Sequence, residues 1–160
     1  MNLQPLIQYV SEQNLQLRRL VIRQHGDIIA EHAFPGQMPD QLWSVSKTFT
    51  SLAVGIAQEE GLFNLSDKLL THFPTANQPG FDQLTLQHML CMGTGHTVDL
   101  MRKARHAGES LDNAEAFFFA QPIHHKPGTH FMYNNSNAYM FSKLITLKTG
   151  QSLLDYLKPR

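Results

Sequence analysis

Two neighbouring stretches with strand-like sequences limit the folds open to this chain more than any other feature. Residues 17–24 and 28–34 flank Gly26-Asp27, and this arrangement predicts a β-hairpin. No other stretch has a convincing strand pattern. Because a two-stranded sheet alone is marginally stable in water, something must complete or cover the hairpin. The alternatives are further strands after residue 160, a second chain that pairs with the hairpin, or helices of this chain.

Apolar residues that recur every three or four positions predict helices along most of the remaining sequence. These helices cover residues 3–14, a segment from Ser44 to near Gly61, and residues 85–92, 110–120 and 134–149, the last being a final long helix. One buried face of the second helix is expected to hold Phe49, Leu52, Ala53, Ile56 and Ala57. The basic stretch 102–106 is expected to be a solvated loop or helix face. The predicted fold class is therefore α+β and mostly helical.

Length and charge favour a single domain without a polyanionic partner. With 160 residues and 42% hydrophobic content, the chain can bury a substantial core as one domain over residues 1–160. We expect residues 1–40 to supply the helix and hairpin of the sheet part, and residues 41–160 the helical part. The 13 basic and 13 acidic residues cancel, which argues against nucleic acid or an anionic membrane as partner.

Cysteine content and hydropathy indicate a reducing compartment and no membrane span. Cys91 is the only cysteine, so an internal disulfide and a cysteine-rich metal site are excluded. No apolar run approaches the roughly 18 residues that a membrane span requires. Residues 1–10 lack the basic and apolar regions of a signal peptide, and we therefore expect a cytoplasmic protein.

The nine histidines raise the alternative of a metal site. His124, His125 and His130 form the densest group, but no H-E-x-x-H pattern or cysteine pair accompanies them. Adjacent histidines of this kind are more often solvated loop residues. We therefore predict neither a metal nor a cofactor.

The pair Ser44 and Lys47 is the first group of residues with a chemical interpretation. Ser44 lies at or next to a helix N-terminus, where unpaired N–H groups and the helix dipole stabilise negative charge. Lys47 follows one helical turn later, so that its amine can lie beside the hydroxyl and assist its deprotonation. S-x-x-K thus fits a nucleophile and its helper, although a capping serine followed by a solvated lysine gives the same four letters.

A second group follows the Pro127-Gly128 turn. Tyr133 and Asn135 stand two residues apart before a helix and should point to the same side. Near Ser44, the phenol can relay a proton, and the amide can orient a substrate carbonyl or the Lys47 amine. The alternative is an aromatic residue of the core and an asparagine that caps the helix.

Taken together and in order, these motifs resemble those of the serine β-lactamase and penicillin-binding-protein superfamily. The branch they resemble is that of the class C β-lactamases with its esterase and D-peptidase relatives. The similar segments are WSVSKTFT at 43–50, GLFNLSD at 61–67, LTLQHML at 84–90 with Gly93 and Gly95, and the P-G to Y-x-N block at 127–135. The similarity runs from about Leu17 to the end of the chain.

The resemblance implies a β-lactamase/transpeptidase-like fold and an acyl-enzyme mechanism. Ser44 would attack a small amide or ester, which includes β-lactams, D-amino-acid peptides and carboxylic esters. Lys47 and Tyr133 would share the proton transfers, and Asn135 would hold Lys47 and the substrate. The backbone N–H of Ser44 would be one oxyanion donor, and water would release the acyl group.

The chain departs from the family pattern in two places. The third motif of the family lies on a strand well downstream of Y-x-N, whereas Lys148-Thr149-Gly150 follows Asn135 by 13 residues and is interpreted as a helix end. At 92–96, Met-Gly-Thr-Gly-His lacks the serine that relatives more often have before the glycine. We therefore expect a chain that lacks the C-terminal strands. The alternative to a hydrolase is a catalytically incomplete fragment or a non-enzymatic binding module, and homo-oligomers through the hairpin edge are a further expectation.

Overall fold

The structure, a computed structural model, describes residues 1–36, 41–74, 79–108, 110 and 114–160. The chain divides into two compact units, Met1–Leu42 and Trp43–Arg160. The first unit contains helix α1 (Gln4–Glu12) and strands β1 (Arg19–Gln24) and β2 (Asp27–Ala33). No helix in the described residues has the length and apolar character needed to cross a membrane.

The predicted hairpin is confirmed, with its turn one residue earlier than expected. β1 and β2 are antiparallel, and their register runs from Arg19 opposite Ala33 to Gln24 opposite Asp27. His25 and Gly26 form the turn with φ values of 53° and 92°. Positive φ at both central residues is typical of the type I′ turn, whose twist matches that of paired strands. Asp27 therefore belongs to β2 and not to the turn.

The second unit is helical. Its helices are α2 (Ser46–Glu59), α3 (Leu69–His72), α4 (Leu86–Leu90), α5 (Leu100–His106), α6 (Ala114–Ala120), α7 (Asn135–Thr149) and α8 (Leu153–Leu157). Short 3₁₀ helices at Trp43–Val45 and Phe81–Gln83 complete it. The basic stretch 102–106 is thus part of α5, and of the predicted helix 110–120, residues 111–113 lie outside the described residues.

The core of this unit forms around α7, and it corrects the face predicted for α2. Ala53 and Ala57 are 0% exposed, whereas Phe49 is 48% and Leu52 is 56% exposed. α7 and α8 pack on the side of α2 that carries the small alanines, where two helix backbones can approach closely. The spacing of apolar residues predicted the helix correctly, but the packing partners decided which side is buried.

The two ends of α7 are fixed by local interactions. Asn134 caps its first turn, because its side-chain oxygen accepts a hydrogen bond of 3.0 Å from the N–H of Ser136. Gly150 ends the helix with φ 72°, a left-handed conformation that glycine adopts without strain. The interpretation of Lys148-Thr149-Gly150 as a helix end is confirmed. Ser152 then caps a further short helix, α8, that was not predicted from the sequence.

Candidate active site

Ser44 lies in the 3₁₀ turn that leads directly into α2. Trp43, before it, has a positive φ of 48°, an uncommon conformation for a residue with a side chain. The hydroxyl of Ser46 donates a hydrogen bond of 2.6 Å to the Trp43 carbonyl oxygen and holds this turn. The turn leaves Ser44 exposed at the start of the helix, where its hydroxyl is accessible to a ligand.

Lys47 connects the two groups of residues that the sequence singled out. Its Nζ donates hydrogen bonds to Ser44 Oγ at 3.3 Å and to Asn135 Oδ1 at 2.7 Å. The same atom lies 5.0 Å from the centre of the Tyr133 ring. One ammonium group therefore faces the hydroxyl, the phenol and the amide together.

Tyr133 completes the contact around the serine. Its hydroxyl lies 2.7 Å from Ser44 Oγ, within hydrogen-bond distance. Lys47 and, after it, the Ser44 hydroxyl stabilise the phenolate, and both lower the pKa of Tyr133 from its ordinary value. The four residues proposed from the sequence, namely Ser44, Lys47, Tyr133 and Asn135, therefore meet at one place.

Asp99 is a member of this cluster that sequence reasoning missed. Its carboxylate accepts hydrogen bonds from the backbone N–H of Asn135 at 3.1 Å and from its Nδ2 at 2.6 Å. Since the amide nitrogen points to Asp99, the amide oxygen is directed at Lys47. The only local signal was an acidic residue before a helix, which is typical of any N-cap.

Buried Asn134 ties the segment that carries Asp99 to the start of α7. Its Oδ1 accepts a hydrogen bond of 3.2 Å from the N–H of Leu100, in addition to the bond from Ser136. Both Leu100 and Asn134 are nearly inaccessible, at 1% and 0% exposure. This link places the first residues of α5 and α7 side by side, so that Asp99 meets Asn135.

A cavity of about 460 Å³ opens beside Ser44. Its walls come from the start of α2, from α5 and from α7. The lining residues are Trp43, Ser44, Ser46, Lys47, Thr50, Asp99, Met101, Arg102, Arg105, Asn135, Ala138 and Tyr139. A small molecule that enters this cavity therefore reaches the serine hydroxyl.

Two residues of the histidine group, His125 and His130, contact each other through their rings. The rings of His125 and His130 stack with their centres 4.2 Å apart. Within the described ranges, no three His, Cys, Asp or Glu side chains are arranged to hold a metal ion.

Comparison with solved structures defines the class of fold. The octameric penicillin-binding protein homologue from Pyrococcus abyssi superimposes with a TM-score of 0.77 at 22% identity, over 99% of this chain and 42% of that one. The β-lactamase/D-alanine carboxypeptidase from Pseudomonas syringae gives a TM-score of 0.75 at 20% identity, over 99% and 48%. The chain thus has the β-lactamase/transpeptidase-like fold that its motifs predicted.

Sequence comparison then gives the family. The Beta-lactamase family model matches residues 20–160, and the chain belongs to this family. The β-lactamase of Escherichia coli K12 is 27% identical over 136 residues, which cover 85% of this chain and 35% of that enzyme. The chain spans less than half the length of each of these three relatives. The resemblance drawn from the sequence is confirmed at the level of the superfamily.

Proposed function

We propose that this chain is a serine hydrolase that forms an acyl-enzyme on Ser44 from a small amide or ester. The observation that carries this proposal is the placement of Ser44 Oγ between two proton-transfer groups, 2.7 Å from the Tyr133 hydroxyl and 3.3 Å from Lys47 Nζ. A serine hydroxyl becomes a useful nucleophile when a neighbouring group takes its proton. Family membership supports the same chemistry.

In the first half of the reaction, Ser44 Oγ attacks the carbonyl carbon while its proton passes to the Tyr133 phenolate. Lys47 favours that phenolate, because its ammonium lowers the pKa of Tyr133. When the tetrahedral intermediate collapses, the C–N or C–O bond breaks, and the leaving group takes the proton from Tyr133. The product is an ester of Ser44 and a free amine or alcohol.

In the second half, water attacks the Ser44 ester and regenerates the serine. The Tyr133 phenolate takes a proton from the attacking water and gives it to Ser44 Oγ when the bond between Oγ and the acyl group breaks, the reverse of its part in the first half. The acyl group leaves as a carboxylic acid, and Lys47 again favours the phenolate. We assign one oxyanion contact to the Ser44 backbone N–H. In other hydrolases the loss of one such donor costs roughly 3–4 kcal/mol of transition-state stabilisation.

The substrate class follows from the relatives in broad terms only. The Pseudomonas syringae relative is described as a β-lactamase and D-alanine carboxypeptidase. We therefore propose β-lactams and D-amino-acid peptides as substrates of this chain. Carboxylic esters are a third proposed class, since the same attack by Ser44 cleaves them. Asn135, which is already bonded to Lys47, is the group proposed to contact the substrate carbonyl or amide.

Intact-mass analysis after incubation with a fluorophosphonate and, separately, a penicillin tests the proposal. We expect a single adduct on the parent that is absent from Ser44→Ala. Ser51→Ala is the matched control, because Ser51 is an exposed serine of α2, the helix that directly follows Ser44. A folded parent that forms no adduct would contradict the hydrolase proposal and favour the alternative of a non-enzymatic binding module.

A further inference from the structure

In the cavity beside Ser44, the wall that α5 forms carries two arginines. Arg102 and Arg105 both line the cavity that Ser44 and Lys47 also line. They stand three residues apart, so that they lie on the same face of the helix. Both side chains are exposed to solvent, and a ligand in the cavity can therefore reach them.

In the part of the chain that the structure describes, neither arginine side chain has a partner of opposite charge. No side-chain hydrogen bond or ion pair involves Arg102 or Arg105 in the described ranges. Among the described residues that line the cavity, Asp99 is the one acidic residue, and it already accepts two hydrogen bonds from Asn135. Two like charges one turn apart on a helix repel each other. The cavity therefore holds an excess of positive charge that its own residues do not neutralise.

The position of Tyr133 indicates which part of a substrate enters the cavity. In the proposed mechanism Tyr133 returns the proton to the leaving group, so the leaving group departs on the Tyr133 side of Ser44. Ser44, Lys47 and Asn135 line the cavity, whereas Tyr133 does not. The cavity therefore receives the acyl part of the substrate. Ala138, Tyr139 and Met101 give it apolar surface for a short hydrocarbon chain.

We infer that Arg102 and Arg105 bind a carboxylate at the end of the acyl group, so that the preferred substrates are amides or esters of short dicarboxylic acids. This inference rests on the proposed function. A guanidinium group suits the task because its planar N–H donors match the two oxygens of a carboxylate. The arginines would then select the substrate, while Ser44, Lys47 and Tyr133 perform the reaction.

Two fluorophosphonates that differ only at the end of the alkyl chain on phosphorus test this inference. One chain ends in a carboxylate and the other in its methyl ester, and the alkyl chain takes the place of the acyl group. In both reactions the Ser44 Oγ–P bond forms, the P–F bond breaks, fluoride leaves and Tyr133 takes the serine proton. The rate of Ser44 modification is followed by intact mass for each probe, and the ratio of the two rates is compared between variants.

The parent should react about tenfold faster with the carboxylate probe, which corresponds to about 1.4 kcal/mol. The ratio should fall to about one in the double variant Arg102→Gln/Arg105→Gln. Lys103→Gln should keep the parent ratio. This substitution also removes a positive charge from α5, but Lys103 is bonded to Gln121 at 2.6 Å and is not among the described residues that line this cavity.

The outcomes separate the two proposals. If the methyl ester probe modifies Ser44 but the parent shows no preference for the carboxylate, the inference is overturned and the hydrolase proposal stands. An unchanged ratio in the double arginine variant also overturns the inference. If neither probe modifies Ser44 in folded protein, the proposed function fails, and the inference fails with it.

Discussion

The amine of Lys47 donates a hydrogen bond of 2.7 Å to Oδ1 of Asn135, a residue 88 positions further along the chain. This bond joins the start of α2 to the start of α7, and thus S-x-x-K to Y-x-N. It also leaves Lys47 Nζ 3.3 Å from Ser44 Oγ.

Replacement of Lys47 by methionine should greatly slow the modification of Ser44. Methionine keeps much of the side-chain volume but removes the charge that favours the Tyr133 phenolate. We expect a fluorophosphonate to react about 10²–10⁴ times more slowly, the usual range for the loss of a general acid–base group. Lys126→Met, at an exposed loop lysine, is the control and should react like the parent. Equal rates in Lys47→Met and the parent would remove Lys47 from the mechanism.

The rate of Ser44 modification should rise with pH and level off below the ordinary tyrosine pKa of about 10. The sign follows from the lowered pKa of Tyr133, since more phenolate is present at any pH below 10 than in a free tyrosine. Tyr133→Phe should lose this rise and most of the rate. Tyr9→Phe, at an exposed tyrosine, should keep both. A parent-like pH profile in Tyr133→Phe would show that another group takes the serine proton.

Asp99 should act as a positioning residue through Asn135. Asp99→Asn removes one acceptor for the two Asn135 N–H groups, and we expect the rate at high pH to fall about tenfold. The negative charge of Asp99 raises the pKa of Tyr133, so its removal should also move the midpoint of the pH profile to lower pH. A purely structural role would change the thermal midpoint without that shift. Asp82→Asn, at an exposed aspartate, is the control.

Buried His96 should make the protein less stable in mild acid. Burial lowers its pKa from 6.5 to about 4. The folded state keeps the ring neutral while the unfolded chain takes up a proton, so stability is full above pH 6.5 and declines as the pH falls towards 4. The full loss from this residue is about 3 kcal/mol. Urea unfolding between pH 7 and 4 should show this decline in the parent and a smaller one in His96→Gln. If the free energy of unfolding fell equally with pH in the parent and in His96→Gln, groups other than His96 would cause the decline.

Gly95 should tolerate no side chain. It has φ +90°, and a Cβ atom there would overlap the carbonyl oxygen of His125 and lie 2.8 Å from Cγ2 of Ile123. Gly61→Ala is the matched control, because Gly61 also has a positive φ, +73°, but open space around it. Both variants bear the cost of a left-handed alanine, about 1–2 kcal/mol. In urea unfolding, Gly95→Ala should lose about 1–3 kcal/mol more from the steric overlap, and equal losses would contradict this.

The sequence by itself determined the elements whose causes are local. The hairpin follows from residues that pair across His25 and Gly26, and the end of α7 follows from Gly150, the residue that tolerates φ 72°. S-x-x-K also needed no long-range information, because one helical turn brings Lys47 back beside Ser44. Together with Y-x-N and the motifs between them, these signals were enough to indicate the superfamily.

Only the tertiary structure decided what depends on contacts between distant segments. The packing of α7 and α8 decided which side of α2 is buried. The spacing of apolar residues could not predict it, because Phe49, which is exposed, and Ala53, which is buried, fit the same helical pattern. Asp99 joined the site because buried Asn134 draws the start of α5 against α7, and no pattern near Asp99 encodes that approach. Local spacing fixes which atoms of one helix meet, whereas contacts across the chain depend on how the whole core packs.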